Sequence, residues 1–135
     1  MVCVYCGHRT QVINSRRQKR NNQVWRRRKC GFCLAVFTTH EAVDLPSALL
    51  VRSGASTRPF LPDLLYTEVL LALQDREDAY VAAREVTNTV IKQLLKLPER
   101  PLFTPIQISK AAAKVLGRLD KRARLRFVAE HPSLQ

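Results

Sequence analysis

Four cysteines in two Cys-x-x-Cys pairs, Cys3/Cys6 and Cys30/Cys33, are all the cysteines this chain has, and they all fall within its first 33 residues. The two-residue spacer lets both sulfurs of a pair converge on one ion, and two such knuckles brought face to face supply the four thiolates of a tetrahedral zinc site. A closed four-sulfur shell leaves no position for water or substrate, so the expected zinc is structural rather than catalytic. Disulfides would also suit four cysteines, but the chain opens without the apolar core of a signal peptide and continues into a basic stretch, which points to a reducing cytosol. A redox Cys-x-x-Cys needs one pair at the start of a helix, not two pairs. The 23 residues between Cys6 and Cys30 slightly exceed the common ribbon spacing and predict a longer hairpin between the knuckles.

Crowding every cysteine at one end of a chain of 135 residues predicts two small domains, 1–45 and 46–135. A segment of about 45 residues buries too little apolar surface to fold unaided, which is the usual reason for a structural metal. Charge separates the two parts as well. Residues 1–40 carry nine Lys or Arg and no Asp or Glu, whereas residues 46–135 hold fourteen basic and nine acidic residues. Four thiolates around Zn²⁺ contribute −2, so the first segment stays at +7 and a polyanionic partner is expected. No apolar run approaches the roughly 20 residues that span a bilayer. The expected setting is therefore cytoplasmic and nucleoid-associated, with no membrane partner.

Gly7 and Gly31 suit the tight turns of the knuckles. Strands are expected at Gln11–Ser15, Val24–Lys29 and Ala35–Thr38, with a turn at Asn21-Asn22, making a three-stranded ribbon. Alternation along a strand puts Arg26 and Arg28 on one face and Arg27 with Trp25 on the other. Guanidinium forks fit phosphate oxygens, so Arg16, Arg17, Arg26, Arg27, Arg28 and Lys29 are the candidate phosphate ligands. The hydroxyls of Ser15, Thr38 and Thr39 are candidate additional contacts, each equally able to satisfy a ribbon turn. Trp25 packs a small core by default; stacking on a base is its sharper alternative.

Asp44–Ser47 reads as a linker. A hairpin follows, Leu49–Arg52 and Thr57–Phe60 about the turn Ser53–Ser56. Pro62 and Asp63 start a helix through Leu73, and Ala79–Leu97 forms a second with Val86, Val90, Leu94 and Leu97 on one stripe. Pro98 and Pro101 end it. Thr104-Pro105-Ile106-Gln107 is a capping box opening a third helix through Leu116, and Asp120 caps a fourth. The expected fold class is α+β: a small three-stranded zinc ribbon, then a mostly helical domain entered by a β-hairpin.

Val12-Ile13-x-Ser15-Arg16, the run Arg26-Arg27-Arg28-Lys29-Cys30 and Phe37-Thr38-Thr39-x-Glu41 resemble the zinc ribbon of the NrdR-type repressors of ribonucleotide reductase genes, with His40 where that family usually has an aromatic residue. There the ribbon is followed by an ATP-cone, and the order of hairpin and four helices over 49–130 is similar to it. The resemblance implies a DNA-binding repressor whose second domain senses adenine nucleotides, ATP or dATP, and sets the state of a homo-oligomer. Its nucleotide site maps onto Val51, Arg52 and Arg58. Arg52 stands for the usual lysine, Arg58 replaces the acidic residue ordinarily before Pro-Phe, and Leu64 replaces a lysine. The closing pattern survives as Arg126-Phe127-Val128-Ala129. The cone offers no nucleophile, general base or carboxylate pair for metal, so an enzyme is not expected. A second reading is an accessory nucleic-acid-binding ribbon protein whose cone is a purely structural interaction module without ligand.

Overall fold

A computed structural model describes residues 1–19 and 22–134. The chain divides into two compact units, Met1–Asp44 and Leu45–Gln135.

The first unit is an antiparallel sheet of β1 (Thr10–Gln18), β2 (Gln23–Cys30) and β3 (Val36–Glu41), in that spatial order. β1 runs three residues further than the sequence predicts, and β3 lies slightly later in the chain. Asn21 of the expected turn lies outside the described residues; Asn22 sits at φ 50°, a left-handed conformation that asparagine tolerates. The β1–β2 register slips between Val12, opposite Arg28, and Asn14, opposite Arg27, so Ile13 is a bulge. Because side chains alternate with period two, that one extra residue exchanges the faces of everything after it on β1. Arg16 therefore lies opposite Trp25, and Arg17 opposite Val24. Among the described residues of this unit only Cys3 and Cys30 are buried. The ribbon thus has ligands where a larger domain would have a hydrophobic core.

The second unit holds an apolar cluster that includes Leu49, Val51, Phe60, Val69, Leu73, Val86, Val90, Leu94, Phe103, Leu116 and Phe127. Its first element corrects the expected linker: Leu45–Ala48 is a single helical turn, α1, in which the Leu49 amide donates to the Leu45 carbonyl at 2.9 Å. The turn is favoured because Leu45 packs on the cluster and Leu49 is buried in it. β4 (Leu50–Ser53) and β5 (Ser56–Pro59) form the hairpin, closed by a two-residue turn in which Gly54 takes φ 59°. The sequence reading has no counterpart for β6 (Leu102–Phe103), which pairs in parallel with β4. Two residues are too few for any periodicity; burial of Phe103 holds them.

Four helices make up the rest of the unit: α2 (Pro62–Ala72), α3 (Ala79–Leu94), α4 (Pro105–Leu119) and α5 (Lys121–Ala129). α3 stops three residues before the predicted end. Lys96 and Leu97 donate to Gln93 and Leu94, three residues back, so the last turn tightens ahead of Pro98, which disfavours helical backbone at Leu97. Leu97 accordingly leaves the buried stripe. The capping box at Thr104 and Gln107 is present in both directions, and Asp120 caps α5. The chain is α+β: a ribbon sheet followed by a mostly helical unit with a small mixed sheet.

Candidate metal centre and nucleic-acid interface

Each knuckle folds back through its own backbone. The Cys3 amide donates to the His8 carbonyl at 2.8 Å and the Cys30 amide to the Ala35 carbonyl at 2.9 Å, pinning both turns at matching positions. The residue after each pair is left-handed, Gly7 at φ 73° and Leu34 at φ 60°. Gly31 lies in the turn the sequence marked for it but is not left-handed; the second knuckle puts that conformation on a leucine.

The four sulfurs lie within 4.8 Å of one another. Cys3–Cys33, Cys6–Cys30 and Cys6–Cys33 are 3.6, 3.5 and 3.4 Å apart. A tetrahedron with Zn–S bonds of about 2.3 Å has edges of about 3.8 Å, so only a slight expansion seats the ion. Backbone amides already serve these sulfurs: the Phe32 N–H points at Cys30 Sγ from 3.3 Å. The amides of Tyr5 and Cys6 hold the Cys3 thiol below its ordinary range. Burial pushes the Cys30 thiol up, but the amides of Cys33 and Phe32 and the neighbouring sulfurs bring it down to about 6. At Cys33 the Ala35 amide acts downward, yet the Cys6 sulfur, burial and the Cys3 and Cys30 sulfurs push it up to about 12. Four sulfurs this close share too few positive neighbours to ionise together, and a divalent cation supplies the missing charge. The donor set fits structural zinc with Cys3, Cys6, Cys30 and Cys33 as its ligands.

His8 was not singled out by the sequence. Its ring stacks on Phe32 with centroids 4.0 Å apart, and Nδ1 lies 3.0 Å from the Cys6 carbonyl oxygen, to which its N–H donates. The position two residues beyond a Cys-x-x-Cys was the available signal.

The basic residues divide between the two faces of the sheet. On the face carrying Cys30, Arg26 is paired with Glu41 at 2.5 Å and Arg28 donates to Thr39 Oγ1 at 3.2 Å. Register places Ser15 and Arg17 on this face too, opposite Arg26 and Val24. The other face carries Trp25, Arg27, Lys29 and Thr38, joined through the bulge by Asn14 and Arg16. The Arg16 guanidinium lies 6.0 Å from the centre of the Trp25 ring, so its stem is steadied while its charge stays available. Arg27 and Lys29 are exposed, and among the described residues no carboxylate pairs with them. Trp25 is half-buried under Arg16.

In the second unit Val51 and Arg58 are directly opposed on the hairpin and border one small cavity of about 140 Å³ with Leu64, Glu68 and Ser109. Arg52, adjacent to Val51 on β4, faces the other way and is not part of it. The two arginines expected together are thus separated by strand alternation. A larger cavity of about 580 Å³ between α2 and α5 shares Glu68 and His131 with the first. His131 Nε2 is 3.5 Å from Glu68, and its ring stacks on Phe127 at 4.1 Å.

A metal-knuckle ribbon with a cationic face, followed in the chain by a separate mixed helical unit, defines a zinc-ribbon protein. A family model described as the N-terminal domain of transcriptional repressor NrdR-like proteins matches residues 1–41. Over the whole chain, proteins named transcriptional repressor NrdR are similar. The one from Herminiimonas arsenicoxydans is 32% identical over 100% of this chain and 86% of its own length. That from Chromobacterium violaceum is 33% identical over 100% and 89%, and that from Rhodospirillum centenum 35% identical over 96% and 84%. The chain belongs to the NrdR family, whose members are transcriptional repressors and not enzymes. Among the described residues no helix is long and apolar enough to cross a membrane.

Proposed function

We propose that this chain is a zinc-dependent transcriptional repressor that binds double-stranded DNA through the ribbon, acting on ribonucleotide reductase genes in the cytoplasm at the nucleoid. The observation that carries the reading is the sheet face on which Arg16, Arg27 and Lys29 stand beside Trp25 without a paired carboxylate. Such a face suits phosphate oxygens, with Thr38 and Asn14 as hydroxyl and amide contacts. Arg26 and Arg28 are partly engaged within the sheet, by Glu41 and Thr39, while Ser15 and Arg17 stand exposed on the same face as secondary candidate contacts.

We further propose that an adenine nucleotide controls assembly into a homo-oligomer. Support comes from the cavity bordered by Val51 and Arg58, with Arg58 as its phosphate ligand and Arg52 outside it. At about 140 Å³ it must widen toward the adjoining cavity before a nucleotide fits. Leu64 and Leu71 on α2, with Leu61 just before it, are exposed apolar residues of the kind a second copy covers.

Gel-shift titration over a range of salt, with reductase-promoter and random duplexes and with or without ATP or dATP, tests the reading. Arg27→Ala/Lys29→Ala should lower affinity for both duplexes and reduce the salt slope by about two units, whereas Arg28→Ala should change the slope little. Equal behaviour of wild type and the double variant overturns the ribbon assignment. A promoter complex indifferent to both nucleotides overturns the sensing role.

A further inference from the structure

Where α4 and α5 meet they enclose an open groove of about 460 Å³. Lys110, Lys114 and Arg118 line its α4 side, and Arg124 reaches in from α5. Four-residue spacing sets the three α4 cations in one row, with about 6 Å of rise between neighbours and about 12 Å over the whole row. All four side chains are exposed, and among the described residues none has a carboxylate partner. Nearby Arg76 and Arg126 differ, being held by Asp78 and Asp75. The groove floor is small and apolar, with Ala113, Gly117, Val128 and Leu134. It has neither an aromatic ring to stack a base nor an amide or hydroxyl to read one.

Gly117 supplies an independent observation. Glycine is a poor helix former, and its φ here is not left-handed, so the backbone does not require it. A Cβ at this position would lie 2.7 Å from Cδ of Arg124. The missing side chain is what lets Arg124 lie across α4 and complete the row.

We infer that this groove is a second phosphate-binding surface that takes the sugar-phosphate backbone of duplex DNA without regard to sequence. A linear row of cations along an open groove matches a continuous phosphodiester chain, and a floor with nothing to recognise a base argues against a free nucleotide. The inference rests on the DNA binding proposed above and extends it to the second unit.

The experiment uses the full chain and random-sequence duplex. Lys110→Gln/Lys114→Gln/Arg118→Gln should lower the salt slope by about two to three units and weaken binding about tenfold or more near 0.1 M salt. Arg84→Gln/Lys96→Gln, two exposed cations, one on α3 and one just past its end, should change the slope by less than about one unit. Gly117→Ala keeps every charge but displaces Arg124; it should lower the slope by about one unit without lowering the melting temperature. An unaltered slope in both the triple variant and Gly117→Ala overturns the inference. If Arg27→Ala/Lys29→Ala still weakens binding in that case, the ribbon assignment survives; if it does not, both fall. Loss of inorganic tripolyphosphate binding in the triple variant, with DNA binding intact, also overturns the inference in favour of a free polyphosphate site.

Discussion

Leu34 takes the left-handed conformation that Gly7 takes in the other knuckle, at φ 60°, and its side chain is 64% exposed. An L-residue there costs about 1–2 kcal/mol, and an exposed leucine recovers little of it by packing. Leu34→Gly should therefore stabilise the metal-bound ribbon by roughly 0.5–1 kcal/mol, once the larger unfolded-state freedom of glycine is deducted. Chelator competition should show zinc held about two- to fivefold more tightly; weaker zinc in the variant would mean that the leucine packs against something the knuckle needs. Single positions also decide the character of the cationic face. Glu41 neutralises Arg26 while Arg27, one residue along, meets no carboxylate, so neighbouring arginines in one run have different work.

Among the elements, the α4–α5 junction depends on Asp120. Its carboxylate accepts from the amides of Arg122 at 2.8 Å and Ala123 at 3.1 Å, and Arg76 lies 3.8 Å away. The Ala123 amide, then that of Arg122 and the charges of Arg76 and Arg126, hold it below the usual carboxylate range against partial burial. A depressed folded-state value means that the contribution is present above the unfolded value of about 4 and fades as pH falls through the folded one. Asp120→Asn keeps the cap but not the charge, so its melting temperature should lie below wild type at pH 6, and the gap should narrow as pH falls below about 4. Asp120→Ala should lose roughly 4 °C or more at pH 6. A gap between the Asn variant and wild type that does not narrow at all on acidification would remove charge from the explanation. Capping was legible in the sequence here and at Thr104 because hydroxyl and carboxylate side chains act on amides two or three residues away. The ribbon strands were legible because alternation and cysteine spacing are local too. The bulge at Ile13 was not, since it depends on which β2 residue lies opposite, and no glycine marks it. Nor was β6, held by the distant core, whereas the separation of Arg52 from Arg58 follows from the hairpin register, Val51 opposite Arg58 and Arg52 opposite Thr57, and from alternation along β4.

At the scale of the whole molecule the two units are stabilised by different means. The apolar cluster lies entirely within residues 45–134, whereas the first unit buries only Cys3 and Cys30 among its described residues. Strong chelation should therefore unfold the ribbon and abolish DNA binding while the helical circular-dichroism signal of α2–α5 persists. A ribbon that keeps its amide dispersion in NMR spectra after zinc is stripped would contradict this. With so little interior of its own, the ribbon folds in a reaction of two species, and mass action governs it as it governs any complex. Each tenfold fall in free zinc removes about 1.4 kcal/mol from its stability. The fraction of chains with an ordered cationic face is then a sigmoid in the logarithm of free zinc, although the number of protein molecules has not changed.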